Sequence, residues 1–99
     1  MPLRLRIAAA AARDIDRIAG YSRRHWGSAV AVRYVTGIWQ AIGRIRRIPS
    51  IGSNYGEILE GVRRYRFRSH TIYYVVLKDS VRIVRILHVR MSPDRHLPD

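Results

Sequence analysis

The stretch from Val62 to Leu77 admits few conformations other than paired β-strands. In its first half Arg64, Arg66 and Arg68 alternate with Tyr65 and Phe67. Successive side chains on a strand point to opposite faces, so this alternation predicts one cationic face and one apolar face. Guanidinium groups two residues apart repel one another unless water or an anion screens them. Thr71 to Leu77 is β-branched, aromatic or aliphatic throughout, and Val81 to Arg90 is a second run of that kind. The break between them, Lys78-Asp79-Ser80, has hairpin length. An antiparallel meander follows, with the basic stripe on its first strand and Arg85 and Arg90 on its last. Both faces of the last two strands are largely apolar. One face is expected to meet helices, and the other needs a cover that a partner would supply.

Leu3, Leu5 and Ile7 alternate with Arg4 and Arg6, which predicts a short first strand. A helix is expected from Ala8, with no Ser, Thr, Asp or Asn before it to cap its free N–H groups. Its apolar stripe is Ala11, Ile15, Ile18, Ala19 and Ser22, with Arg13, Asp14, Asp16, Arg17, Arg23 and Arg24 assigned to the wet side. It should stop at His25-Trp26-Gly27, where glycine can take the left-handed conformation. Ser28 is the expected cap of a second helix, whose stripe runs through Ala31, Tyr34, Val35, Ile38, Ala41, Ile42, Ile45 and Ile48. Arg33, Gly37, Gln40, Arg44 and Arg47 fall opposite that stripe, and Pro49 ends the helix. Two helices this close in sequence must double back on each other. Ser50 to Gly61 reads as a loop with a helical turn at Glu57 to Glu60, and Met91 to Asp99 reads as a polar tail. The order is β-α-α-β-β-β, an α+β fold with an antiparallel helical hairpin on a small, mainly antiparallel sheet. Residues 1–99 fit one domain.

Charge narrows the class of partner. Lys plus Arg number 19 against 7 acidic residues, a formal net of +12, and Lys78 is the only lysine. Arginine pairs bidentately with carboxylate and phosphate and stacks on aromatic rings, so an acidic partner is expected: nucleic acid or an acidic protein segment. The absence of cysteine excludes disulfides and thiolate metal sites and suits a cytoplasmic protein. No apolar run approaches the roughly 20 residues that cross a bilayer, so no membrane role is expected. His25, His70, His88 and His96 show no metal-ligand spacing, and no nucleotide-binding loop or Ser-His-Asp set is readable. Neither a metal nor a cofactor is expected.

At this point the residues carry a likeness. Tyr21, Trp26-Gly27, Ala31, Tyr34, Ile48-Pro49 and Gly52 resemble the helical hairpin of ParE toxins. Gly61-Val62-Arg63-Arg64, Ser69-His70-Thr71-Ile72-Tyr73-Tyr74 and the segment from Ile83 to Met91 resemble that family's sheet. The resemblance implies the toxin of a type II toxin–antitoxin pair in the ParE/RelE superfamily, forming a hetero-oligomer with an acidic, ParD-like antitoxin. It further implies DNA gyrase as target, with no enzymatic activity of its own. Under that reading Arg90, Met91, Ser92, Arg95 and His96 contact the target, and Arg64, Arg66, Arg68, Arg85 and Tyr74 contact the antitoxin. RelE-like members of the superfamily instead cut messenger RNA on the ribosome. Under that alternative Arg64, Arg66, Arg68 and Arg90 bind phosphate, while His88 or His96 replaces the proton-accepting tyrosine whose place Leu97 takes.

Overall fold

A computed structural model describes residues 3–56 and 59–97. Strand β1 (Arg4–Ile7) leads into helix α1 (Ala9–Trp26), and α2 (Ser28–Arg47) follows after a single residue. That residue, Gly27, has φ 88°, so glycine makes the reversal without a Cβ clash. Gly27 also occupies the N-cap position of α2, which places Ser28 inside the helix and corrects its expected role. The helix begins one residue later than expected, with Ala8 at the N-cap position and, as expected, no side-chain hydrogen bond there. The N–H of Ala8 itself donates to the Ile83 carbonyl at 2.9 Å, which ties the helix start to the sheet.

A 3-10 turn (Pro49–Ile51) leads to a two-residue strand β2 (Ser53–Asn54), absent from the expected order. Strands β3 (Val62–Phe67), β4 (His70–Val76) and β5 (Ser80–His88) form the meander, and one helical turn, α3 (Pro93–His96), is the last element among the described residues. The helical turn expected at Glu57 to Glu60 begins on residues 57 and 58, which lie outside the described residues. The sheet order is β1-β5-β4-β3-β2, antiparallel except where β1 lies parallel to β5.

Between the helical hairpin and the sheet lies the main core, with Ala11, Ile15, Ile18, Ile38, Ala41, Ile42 and Ile45 facing Ile72, Tyr74, Val81, Ile83 and Ile86. Gly37 belongs to this interface and not to the wet face, because the ring of Phe67 fills the space a Cβ would need. Arg44 also turns inward, donating to the Tyr65 hydroxyl at 3.3 Å. Ile48 is the opposite correction. It follows the helix end and is 56% exposed, since the chain leaves the helical path before Pro49.

A register shift between Tyr73 and Tyr74 explains how β5 is apolar on both sides. Tyr73 pairs with Arg85 but Tyr74 pairs with Ile83, so β5 spends an extra residue there. This bulge resets the alternation. Ile83 and Ile86 thereby share the helix face, while Leu87 joins a second cluster with Val62, Tyr73 and Leu97 on the outer face. Tyr55, Leu59, Val75 and Val84 pack against that cluster. The outer face is therefore partly covered by the chain's own loop and tail.

Candidate functional site

The outer face of the sheet gathers the basic stripe around two tyrosines. Arg64 pairs across the sheet with Tyr73, and Arg66 with Thr71, so all four share one face. The Arg64 guanidinium lies 4.8 Å from the Tyr55 ring centre, and Tyr55 meets Tyr73 edge to face at 5.6 Å. Cation and ring attract through the ring's quadrupole, which holds Arg64 in place while leaving donors for an anion. A cavity of about 420 Å³ opens here, bordered also by Val89 and Met91. Burial pushes the Tyr73 phenol above its ordinary pKa, with Tyr55 adding to the effect and Arg64 opposing it. At neutral pH that hydroxyl is a hydrogen-bond donor and a poor base.

Arg68 does not extend the stripe. It occupies the β3–β4 turn with φ 51°, its guanidinium 5.7 Å from the Phe67 ring centre, and its carbonyl accepts from Arg66 Nε at 2.8 Å. Two further residues expected at a partner surface are internal. Tyr74 is fully buried, its hydroxyl accepting from the Gly52 N–H at 2.9 Å and donating to the Pro49 carbonyl at 2.7 Å. Arg85 is bound bidentately to the buried carboxylate of Asp14 at 2.8 and 2.9 Å and donates to the His96 carbonyl at 2.7 Å. The Ile86 N–H bonds the same carboxylate at 2.9 Å. Asp14 thus fills the sheet edge beyond Ile7, where β1 has already given way to α1. Its burial corrects the wet-side assignment, for position 14 lies three residues after Ala11 and four before Ile18, on the inner stripe.

Beyond His88 the chain turns, leaving Arg90, Met91, Ser92 and Arg95 exposed. His96 is half-buried, its Nδ1 2.9 Å from the Ser92 carbonyl. Leu97 is buried in the outer cluster, so the tail folds back onto the sheet at its end. Between this tail, the start of α1 and the outer sheet lies an apolar cavity of about 600 Å³, lined by Val62, Val75, Val84 and Leu97 with Arg82 and Glu60 among its polar groups.

His88 points the other way. Its ring meets that of His70 at 5.3 Å, and His70 Nδ1 lies 2.6 Å from the Tyr34 hydroxyl of α2. The Arg90 N–H donates to His88 Nδ1 at 3.1 Å. Both imidazoles therefore sit on the helix side, across the sheet from Arg64 and Arg66. Burial first, and the neighbouring His88 second, lower the His70 pKa from 6.5 to about 4, with Asp14 opposing. The folded state thus holds His70 neutral where the unfolded chain would protonate it. Stability should be fully present above pH 6.5 and fall as the pH drops towards 4. A shift of that size corresponds to at most about 3 kcal/mol, which partial solvent access reduces to about 1–2. Urea melts at several pH values should show that slope in the native chain and a flatter one in His70→Gln. An equal slope in both would remove His70 as the cause.

Sequence reasoning passed over Asp14, Tyr55, Tyr73 and the His70–His88 pair. For Tyr73 a signal existed, since strand alternation places it opposite Arg64 once the hairpin register is known. Among the described residues no cluster of His, Cys, Asp and Glu could hold a metal ion. Among the same residues no helix is long and apolar enough to cross a membrane.

Residues 5–93 match the profile of a family described as the ParE toxin of the type II toxin–antitoxin system, parDE. The chain is 34% identical over 98 residues to the protein named Toxin ParE1 of Mycobacterium tuberculosis (strain ATCC 25618 / H37Rv), covering 98% of this chain and 100% of that one. Its fold superimposes with a TM-score of 0.79 on a chain of the chromosomal ParDE system of P. aeruginosa, at 21% identity and covering 89% and 97% of the two chains. A chain of the RelBE2 toxin–antitoxin complex of M. tuberculosis gives 0.68, also at 21% identity, covering 89% and 99%.

Proposed function

We propose that this chain, which belongs to the ParE toxin family of type II toxin–antitoxin systems, poisons DNA gyrase and is silenced by an acidic, ParD-like antitoxin. The supporting observation is the division of the candidate catalytic groups between two faces of the sheet. Arg64 and Arg66 line the outer cavity, but among the described residues its lining includes no imidazole or carboxylate. Cleavage of an RNA backbone needs a proton acceptor beside the phosphate-binding cations. His88 is on the helix side against His70, His96 is held over the Ser92 carbonyl, and Leu97 is core. The Arg90 to Arg95 turn is exposed and lies outside both core clusters, a surface suited to a protein target.

The antitoxin reading rests on charge and on the outer cavity. An acidic, amphipathic segment would bury its apolar residues against Val62, Val75 and Val84 and set its carboxylates near Arg82, Arg64 and Arg66. One observation favours a ribonuclease instead: Tyr55, Tyr73, Arg64 and Arg66 together could stack a base and bind its phosphate.

Two measurements separate these readings. The purified chain should inhibit gyrase-catalysed supercoiling, and its induction should give filamentous cells with a DNA-damage response. Within that assay Arg90→Ala should lower toxicity while Arg66→Ala leaves it near the original level. Neither should unfold the domain, because exposed substitutions usually shift stability by less than about 0.5 kcal/mol. Rapid arrest of translation with transcripts cut at ribosomes, and a steeper loss in Arg66→Ala, would establish the ribonuclease and discard gyrase.

A further inference from the structure

Helix α2 has a second apolar face that the fold leaves empty. Its core stripe is centred on Ile38, yet Val32 is 65% exposed and Trp39 is 43% exposed on the opposite flank. These two stand seven residues apart, and Ala29, Thr36 and Gly43 fall between and beyond them at alternating intervals of three and four. That spacing is the seam of a helix that packs against another helix, with bulky knobs at one position and room for the partner's knobs at the other. The room is real: a groove of about 500 Å³ lies between Thr36, Trp39, Gly43 and Arg47. Arg33, Gln40 and Arg47 repeat along one border of the seam, again at intervals of seven, and α2 contains no acidic residue.

The charge on that border decides the occupant. A second copy of this chain would bring its own arginines against these and a further net charge of +12, which opposes pairing through the seam. A helix with Asp or Glu beside its apolar stripe would pair with Arg33 and Arg47 while filling the hollow at Gly43. We propose that this flank of α2 is a docking seam for an acidic amphipathic helix of the antitoxin, separate from the outer-sheet cavity. The inference rests on the antitoxin reading given above. From Ala29 to Gly43 the seam is about 21 Å long, enough for a partner helix of roughly four turns. An exposed Trp flanked by arginines and a hollow is the composition that concentrates binding energy at protein interfaces.

The test uses the full-length toxin and the full-length product of the adjoining antitoxin reading frame, with affinity measured by calorimetry. Trp39→Ala removes the knob, and Gly43→Leu fills the hollow. A Cβ at Gly43 meets only the end of the Arg47 side chain at 3.4 Å, so the larger residue leaves the free toxin's fold intact. Each variant should bind at least about 30-fold more weakly while the free toxin keeps its native ellipticity and a cooperative melt. Unchanged affinity in both variants, beside a tight native complex, would overturn the seam and leave the antitoxin reading standing. Absence of any native complex would overturn both. Self-association of the free toxin that Gly43→Leu abolishes would assign the seam to a second copy and overturn the proposed occupant.

Discussion

An Asp14→Ala variant is expected to lose about 3–5 kcal/mol of folding stability, because it strands a guanidinium already withdrawn from water. The Arg85 side chain is 14% exposed and that of Asp14 only 6%. Alanine removes both bonds to Arg85 and also orphans the Ile86 N–H, an additional cost of about 1–3 kcal/mol if water cannot enter. Arg17, 3.5 Å from the same carboxylate but exposed along most of its length, adds little. Asp14→Asn should cost less than Asp14→Ala, since its amide oxygen still accepts one of these bonds. The pair Asp14→Leu with Arg85→Met should recover much of the loss, because apolar replacement of a buried ion pair is often neutral or better. Urea denaturation followed by circular dichroism orders the three variants. A single Asp14→Ala variant within about 1 kcal/mol of the native chain would mean that the pair is hydrated and structurally unimportant. The Arg85 bond to the His96 carbonyl carries the consequence outward: losing the pair should also loosen the tail that presents Arg90 to Arg95.

That arrangement was the part of the molecule least accessible to pattern reading, and the reason is physical. A charged residue on an apolar stripe reads as a boundary of the stripe, and only the three-dimensional approach of Arg85 makes Asp14 a core residue. The bulge at Tyr73/Tyr74 is invisible for a similar cause. Val81 to His88 shows apolar residues in both phases, and nothing local says where one phase yields to the other. Strand β2 has only two residues, too few for periodicity, and exists because Arg63 and Arg64 offer it an edge. Arg63 then secures the edge by donating to the Gly52 carbonyl at 2.6 Å. Leu97 seemed part of a polar tail, yet a lone leucine between polar residues is enough to anchor one helical turn on a sheet. By contrast the bounds of the helical hairpin were legible almost to the residue, since Gly27 permits a reversal that other residues resist and Pro49 excludes a further helical turn. The basic stripe was legible through Arg66 and failed at Arg68, where the hairpin turn interrupts the alternation.

Ile38→Ala is expected to abolish toxicity by a route that Arg90→Ala does not share. Ile38 is fully buried at the centre of the α2 stripe, within the cluster that joins both helices to Ile72, Tyr74 and Ile83. Truncating a buried isoleucine costs about 2–5 kcal/mol, from lost transfer energy and from the cavity left behind. Small domains have only about 5–15 kcal/mol of stability in total. This one also carries the self-repulsion of a +12 net charge, which opposes the compact state. The variant should melt early, show reduced ellipticity at growth temperature and lose toxicity in proportion to its unfolded fraction. Bound antitoxin should restore its fold, because a ligand that binds only the native state stabilises it by mass action. Arg90→Ala should keep native ellipticity and melting temperature while losing toxicity, since Arg90 is exposed beyond the end of β5. Adding a deletion from Met91 onward would not serve as the same control, because it removes the buried Leu97 and the carbonyl that holds Arg85. The cleaner companion is Arg95→Ala, which lies in the exposed turn and leaves both in place. Full toxicity in a folded chain carrying both Arg90→Ala and Arg95→Ala would remove this turn as the target-contacting surface, whatever Ile38→Ala does.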